Sequence, residues 1–199
     1  MHSISYDPQT ALIVVDVQND FADPSGNLYV SGGEVVVPLI NAEIAEAQQR
    51  GAHVVYTADW HPASTPHFAE DGGIWPTHCV GNTWGAEFHP DLVVAGPVVR
   101  KGVDGQDGYS GFTTRDTSSD ETSPTELAAL LRNDGITTLV VTGLATDYCV
   151  KSTVLDGLSE GFSVVLFTDA VRAVDLEPGD GDRALAQIAT AGAAFATAG

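Results

Sequence analysis

The sequence has few cations, little cysteine and no long apolar run. Its 199 residues carry 27 acidic and 8 basic side chains, which gives a formal net charge of −19. Such a charge repels phosphate backbones and anionic lipid, so we expect neither nucleic acid nor a membrane as partner. No stretch approaches the ~20 apolar residues that span a bilayer, and no basic amino-terminal region precedes an apolar one. These absences predict a cytoplasmic protein.

The acidic composition has two explanations at the level of sequence. An ordinary solvated surface in an Ala- and Gly-rich protein gives this balance, in which only Lys101 and Lys151 are lysines. Adaptation to high salt gives the same balance, because acidic, lysine-poor surfaces stay soluble there. Composition alone does not separate the two.

Short β-branched runs alternate along the chain with longer stretches of helical period. Continuous apolar runs predict buried strands at 10–15, 53–57, 96–100, 138–142 and 163–168. Apolar spacing predicts helices over 36–47, 127–131, 150–158 and 183–191, the first three ended by Gly51, Gly135 and Gly161. The alternation predicts an α/β, doubly wound fold with a mostly parallel sheet flanked by helices. At this length we expect a single domain over residues 1–199.

Two segments interrupt the alternation. Residues 59–95 are too long for an ordinary connection and contain four of the six histidines, which indicates a functional loop. Residues 102–123 are also interpreted as a loop, whose polar part at 116–123 is solvated surface. Directly after it, Ser123, Pro124, Thr125 and Glu126 have the form of a capping box, so we expect the next helix to begin there.

Three polar side chains of different chemistry follow the predicted strands. Asp16 follows the first strand, Lys101 follows the third, and a short turn leads from the fourth into Cys149 at the start of a helix. The carboxyl ends of parallel strands meet at one edge of a sheet, where such sheets bind ligands. A carboxylate that accepts a proton, with an ammonium and helix-start amides that favour thiolate, makes a nucleophilic centre. We therefore predict a cysteine hydrolase of an acyl or amide bond, with one or both of Cys79 and Cys149 as free thiols.

The long segment contains a compact set of metal-ligand types. Asp59 and His61 leave a strand together, and two further histidines can fold back towards them, at positions 67 and 78. Imidazole with carboxylate suits zinc, iron or manganese. We therefore predict a metal site formed by Asp59, His61, His67 and His78. The other histidines are expected to be structural (His53 and His89) or a mobile terminal residue (His2).

Six stretches carry a resemblance to a known family. They read VVDVQNDF at 14–21, DWHP at 59–62, WPTHC at 75–79, FHP at 88–90, RKG at 100–102 and GLATDYCV at 143–150. In this order they span nearly the whole chain. The sequence resembles the nicotinamidases of the isochorismatase-like cysteine hydrolase family, and the metal-loop pattern separates these from most relatives that share the fold.

The resemblance implies a role for each matching catalytic position. It implies an isochorismatase-like hydrolase fold with a catalytic triad of Asp16, Lys101 and Cys149. The backbone amides of Ala145 and Cys149 would form the oxyanion hole, next to a cis peptide between Leu144 and Ala145.

The resemblance also implies a metal centre and a substrate pocket. The metal ligands would be Asp59, His61 and His78, with His67 as a further ligand that varies between members. Phe21 and Trp75 match positions that enclose a pyridine ring, and Tyr148 lies beside the nucleophile. Tyr109 stays outside this set, and Cys79 matches a structural position.

The implied activity is hydrolysis of nicotinamide to nicotinic acid and ammonia through a cysteine thioester, in NAD salvage. Pyrazinamide is expected as a second substrate, and the cofactor would be one divalent ion of Zn, Fe or Mn. Two enzymes of the same fold remain as alternatives: a metal-free amidohydrolase of ureido or carbamoyl compounds, and an isochorismatase, which cleaves a vinyl ether without the cysteine. A non-catalytic metal-binding or scaffold protein is the alternative outside enzymes. The oligomeric state stays open, and a homo-oligomer is compatible with the sequence.

Overall fold

A computed structural model describes residues 4–198, so His2 lies outside the described residues. The strands in chain order are β1 Thr10–Val15, β2 His53–Asp59, β3 Val98–Lys101, β4 Thr113–Arg115, β5 Thr122–Pro124, β6 Thr138–Leu144, β7 Ser163–Arg172 and β8 Ala194–Ala196. Six of them form one sheet in the order β3-β2-β1-β6-β7-β8, and every neighbouring pair is parallel. The predicted doubly wound α/β fold is confirmed. Because β1 lies between β2 and β6, the winding reverses beside it, and this opens a crevice at the carboxyl ends of the strands.

Helices cover both faces of the sheet. They are α1 Asn19–Ala22, α2 Val36–Gln49, α3 Leu127–Asn133, α4 Lys151–Ser159 and α5 Asp180–Ala191. On one face Val14 of β1 packs in the same core as Ile40 of α2. On the other face Ile13 shares a core with Leu131 of α3 and Val154 of α4. Successive side chains of β1 therefore enter different cores, which explains its continuous apolar sequence. Among residues 4–198, no helix is long and apolar enough to cross a bilayer.

The five predicted strands are present, and β3 covers Val98–Lys101 where 96–100 is predicted. Three others run two or more residues further than their apolar sequence indicates. β2 extends to Asp59, β6 to Leu144 and β7 to Arg172. The helix ends at Gly51, Gly135 and Gly161 are also confirmed, since these residues have φ of +74°, +70° and +91°. The short strand β8 was not predicted. Its three residues follow the last helix closely and add the outermost parallel strand to the sheet.

The prediction of a capping box at Ser123 is wrong. Ser123 and Pro124 belong to β5, which pairs with β4 in an antiparallel hairpin. Helix α3 begins only at Leu127, whose amide donates a hydrogen bond to Thr125 Oγ1 at 3.2 Å. The pairing with β4 occupies the backbone that the capping box would need. The segment 102–123, interpreted as a loop, therefore holds a hairpin in its second half.

Candidate active site

The carboxyl ends of four parallel strands carry the side chains of the site. Asp16 follows β1 in the left-handed region with φ of 48°. Asp59 is the last residue of β2, and Lys101 is the last residue of β3. Beyond β6, a π-helical turn over Thr146–Val150 carries Cys149 just before α4. The predicted convergence of an acid, an ammonium and a thiol on one sheet edge is therefore present in the structure.

Lys101 contacts all three of the acidic groups around it. Its Nζ lies 2.8 Å from Asp16 Oδ2 and 3.5 Å from Cys149 Sγ, and it donates a hydrogen bond to Asp59 Oδ1. All four side chains are buried. One ammonium thus pairs with two buried carboxylates and lies within reach of the thiol, which gives each buried carboxylate a charged partner.

Burial dominates the ionisation of these groups. It raises the pKa of the Cys149 thiol well above its usual value, and the Lys101 ammonium only partly offsets this. Burial also raises the pKa of Asp16, against the attraction of Lys101. Burial disfavours the charge on Lys101 itself, but Asp16 and Asp59 outweigh it and raise the pKa of the ammonium. The resting Cys149 is therefore a thiol rather than the thiolate that its neighbours led us to expect, and Asp16 is a base suited to take its proton.

Two buried side chains that sequence reasoning missed fix the carboxylates in place. Thr57 Oγ1 donates a hydrogen bond to Asp16 Oδ1 at 2.6 Å. Gln18 binds both backbone groups of Asp59, accepting from its amide at 2.8 Å and donating to its carbonyl at 2.7 Å. Gln18 lies within the VVDVQNDF stretch, which is the only sequence signal for it. The two hydrogen bonds with Gln18 fix the backbone of Asp59, whose side chain lies between the Lys101 ammonium and the histidines described next.

Three histidines of the 59–95 segment converge beside Asp59. The candidate ligand atoms of His61, His67 and His78 all lie within 4.8 Å of one another, and the three residues are buried. Asp59 Oδ2 is 3.8 Å from His61 Nε2 and 3.9 Å from His78 Nε2. These separations are too long for hydrogen bonds, and they are compatible with ligands placed around one ion at about 2.1 Å each.

The ring nitrogens are arranged as metal ligands require. His78 Nδ1 donates to the Pro76 carbonyl at 2.7 Å, and His67 Nδ1 lies 2.9 Å from Asp107 Oδ1, so Nε2 is left free on both rings. Among the described residues, neither ring nitrogen of the buried His61 has a hydrogen-bond partner. Unpaired buried nitrogens are costly, and a metal ion would satisfy one of the two. The four residues predicted as ligands therefore fit a divalent transition metal.

The absence of a side chain at Gly102 leaves room for the ring of His61. This glycine has φ of +78°, and a Cβ there would lie 2.6 Å from His61 Nδ1. A side chain at this position would therefore clash with the ring as well as strain the backbone. The glycine of the RKG stretch thus contributes to the histidine cluster through its missing side chain.

An aromatic cavity connects Cys149 with His67 and His78 of the histidine cluster. The three residues proposed to contact substrate, Phe21, Trp75 and Tyr148, all line it. Trp75 meets Tyr148 edge to face with ring centroids 4.9 Å apart. Tyr109 also lines the cavity and accepts a hydrogen bond from Trp75 Nε1 at 3.0 Å. Tyr109 lies outside the predicted substrate-binding set, and its position in the cavity adds it to that set.

The residues named for the oxyanion hole lie on the same wall of the cavity. Ala145 and Cys149 both line it, at either end of the turn that follows β6. The peptide between Leu144 and Ala145 is cis, as the resemblance implied. Gly143 precedes it with φ of +109°, and a Cβ there would lie 2.1 Å from the Val15 carbonyl oxygen. Only glycine fits between β6 and β1 at this point.

His53, His89 and the second cysteine lie outside this arrangement. His53 Nδ1 is 3.2 Å from Asp134 Oδ2 near the surface, and His89 Nδ1 accepts a hydrogen bond from the amide of Asp91 at 3.3 Å. Cys79 is free and fully buried. Burial raises the pKa of its thiol well above the usual value, so it stays protonated.

Comparisons with known proteins agree with this geometry. The family model described as isochorismatase domain matches residues 10–199. Nicotinamidase of Escherichia coli (strain K12) is 38% identical over 208 residues, which cover 96% of this chain and 95% of that protein. A crystal structure of pyrazinamidase of Pyrococcus horikoshii in complex with zinc is 40% identical with a TM-score of 0.84, over 96% of this chain and 99% of that one. A structure from L. infantum in complex with nicotinate is 36% identical with a TM-score of 0.88, over 98% and 96% of the two chains.

Proposed function

This chain belongs to the isochorismatase domain family, and from that premise we propose that it hydrolyses nicotinamide to nicotinic acid and ammonia. One observation carries the proposal. Cys149 of the cluster with Asp16 and Lys101, and His67 and His78 of the three-histidine cluster, line the same aromatic cavity. Asp59 lies between the two clusters. The similarity to nicotinamidase of E. coli supports a carboxamide substrate. The reaction then belongs to NAD salvage, with pyrazinamide as a second substrate because its ring and amide have the same geometry.

The cavity would hold the substrate between its aromatic walls. Phe21 and Trp75 offer apolar ring surface for a heterocycle, and Tyr148 lies beside the nucleophile. Asp59, His61, His67 and His78 would hold a divalent ion of Zn, Fe or Mn. When bound, that ion would supply a Lewis acid for the ring nitrogen, which orients the ring rather than generating the nucleophile. The carboxamide carbon then faces Cys149.

The first half-reaction transfers the acyl group to sulfur. Asp16 takes the thiol proton, Cys149 Sγ bonds to the carbonyl carbon, and the carbonyl oxygen becomes an oxyanion. The backbone amides of Ala145 and Cys149 are proposed to stabilise that charge. The C–N bond then breaks, and the leaving nitrogen takes the proton from Asp16 and departs as ammonia. The product of this half is a thioester on Cys149.

The second half-reaction returns the enzyme to its starting state. A water molecule gives a proton to Asp16 as its oxygen bonds to the thioester carbon. The C–S bond breaks, sulfur regains the proton from Asp16, and nicotinic acid is released. Lys101 stays protonated throughout, because the two carboxylates raise its pKa against the effect of burial. Its charge stabilises the thiolate that forms in each half-reaction.

Ammonia release from nicotinamide tests this proposal. We expect wild-type protein with metal to release ammonia, and Cys149→Ala to lose at least about 10³-fold in kcat, since removal of a covalent nucleophile has losses of this order or larger. Cys79→Ala is the matched control, because Cys79 is the other buried free thiol and does not line the cavity. Wild-type protein that releases no ammonia with metal present would exclude the proposed substrate.

The same variants separate the alternatives. A metal-free amidohydrolase of ureido or carbamoyl compounds predicts no stoichiometric metal in the purified protein. An isochorismatase predicts that Cys149→Ala keeps its activity. A quenched-flow sample of the wild type should contain a nicotinoyl adduct on Cys149 by mass spectrometry, and neither alternative gives this adduct.

A further inference from the structure

The hairpin of β4 and β5 is linked to the histidine cluster through Asp107. The backbone of Asp107 forms an antiparallel bridge with Arg115, the last residue of β4. The side chain of Asp107 makes two further contacts, with Arg115 Nη2 at 3.0 Å from Oδ2 and with His67 Nδ1 at 2.9 Å from Oδ1. One carboxylate therefore connects a surface element to a buried ring of the proposed metal site.

The contact determines which nitrogen of His67 carries the proton. A carboxylate accepts hydrogen bonds, so Nδ1 must be the donor and Nε2 the free nitrogen. The other oxygen of the same carboxylate pairs with Arg115 Nη2, so the acceptor for His67 Nδ1–H is held between two donors. His78 has a backbone carbonyl in the corresponding position. Among the described residues, His67 is thus the one histidine of the cluster for which another side chain determines which ring nitrogen has no proton.

We propose that Asp107 is a positioning residue of the metal site, which holds His67 in the Nδ1–H tautomer with Nε2 directed at the ion. Arg115 acts as the counter-ion that keeps the carboxylate in place. This inference rests on the proposed metal centre and adds a residue that no motif of the sequence indicates. Partners of this kind raise the basicity of a ligand histidine and fix the orientation of its ring.

Zinc affinity of the full-length protein tests the proposal without relying on activity. Metal-free protein is titrated with zinc in competition with a chromophoric chelator. We expect Asp107→Ala to bind zinc roughly 10- to 100-fold more weakly than the wild type, as for other partners of ligand histidines. Asp107→Asn keeps an acceptor oxygen without the charge, so its affinity should lie between the two. It also provides the measurement should Asp107→Ala fail to fold.

Asp120→Ala is the matched control. Asp120 is the other acidic partner of Arg115, at 3.2 Å on the exposed side of the hairpin, and it makes no contact with His67. We expect this variant to bind zinc as the wild type does. A loss equal to that of Asp107→Ala would assign the effect to the hairpin as a whole and overturn the proposal.

Nitrogen NMR of the histidine rings gives a second measurement that a purely structural role would leave unchanged. At about pH 8, where a free imidazole is neutral, His67 should show the Nδ1–H tautomer in the wild type and a tautomer mixture in Asp107→Ala. An unchanged tautomer with unchanged zinc affinity would overturn the inference alone. A wild-type protein that binds no zinc would instead overturn the metal centre on which the inference rests.

Discussion

His78 is a buried imidazole whose proton and lone pair are both assigned by the structure. Its Nδ1 donates to the Pro76 carbonyl, which leaves Nε2 facing Asp59. Burial lowers the pKa of His78 to about 4, although Asp59 and the contact with Pro76 act in the opposite direction. The ring is therefore neutral at physiological pH and has no proton to release before it binds a metal.

The low pKa of His78 predicts a pH dependence of stability in the metal-free protein. The unfolded ring titrates near its usual value of 6.5 and the folded ring near 4, so the unfolded chain binds more protons between these values. The free energy of unfolding should then be complete above about pH 6.5 and fall by about 3 kcal/mol as the pH decreases to about 4. Denaturant unfolding at several pH values, with a chelator present, measures this.

His78→Gln is the comparison for this measurement. Glutamine does not titrate, so the pH dependence over this range should be flatter than in the wild type by about the same amount. Parallel curves for the two proteins would show that His78 does not carry the effect.

The catalytic side chains could be predicted from the sequence more reliably than the side chains that hold them in place. Asp16, Lys101 and Cys149 could be placed because each follows a predicted strand, and the structure brings them together. Thr57 and Gln18 were missed because each supports a carboxylate 41 residues away in the chain. Such contacts depend on which strands are neighbours in the sheet, and no local pattern contains that information.

Hydrogen bonds link the turn that carries Cys149 to the segment that follows β7. Asp147 is buried, and its carboxylate accepts hydrogen bonds from the amides of Val174 at 3.0 Å and Asp175 at 2.9 Å. Val174 lines the substrate cavity. A side chain two residues from the nucleophile thus holds another residue of the cavity lining in place.

Loss of the hydrogen bonds to Asp147 should weaken substrate binding more than it slows the chemical step. We expect Asp147→Ala to raise KM for nicotinamide about tenfold with a smaller fall in kcat, because the wall moves while the cluster around Cys149 stays intact. The free energy of unfolding should fall by about 3 kcal/mol, since two backbone amides lose a charged acceptor. Steady-state kinetics and denaturant unfolding measure the two effects.

Asp175→Asn is the control, because Asp175 lies in the same segment and accepts from the Gly181 amide rather than holding Val174. Asparagine also tolerates the positive φ of 52° found there. A fall in kcat larger than the rise in KM for Asp147→Ala would place the role of Asp147 in the chemical step.

At the scale of elements, continuous apolar runs were the reliable signal and short paired segments were not. β1 matches its predicted bounds because burial on both faces makes every residue after Thr10 apolar. The hairpin of β4 and β5 has three residues in each strand, none of them buried, so it carries no alternation that a pattern could detect. Ser123 and Pro124 are strong helix-start residues in isolation, and tertiary pairing overrides that preference.

The charge of the whole molecule is the property that the fold explains least. A net charge of −19 creates electrostatic self-repulsion, which destabilises the compact folded state. Added salt screens this repulsion, since the Debye length falls from about 10 Å at 0.1 M to about 3 Å at 1 M. We expect Tm to rise by roughly 5 °C between low and moderate NaCl and then to level off.

A salt series by differential scanning calorimetry tests this, with activity assayed in parallel. A plateau fits the ordinary solvated surface, and a continued steep rise of stability and activity toward molar salt fits adaptation to high salt. The control is the same series near the sequence pI of about 4.2, where the net charge vanishes and the rise should be lost. A Tm that is independent of salt at neutral pH would show that the charges are too far apart to destabilise the fold.

Asp59 gives one oxygen to the Lys101 ammonium and directs the other toward His61 and His78. An ion bound as proposed would share this carboxylate with the Lys101 ammonium, so metal binding is expected to alter the reactivity of the thiol. For the same reason a descendant of this chain could not become metal-independent by losing its histidines alone. It would retain two buried carboxylates and a single ammonium, so the loss of Asp59 would have to accompany the loss of the histidines in any such evolutionary path.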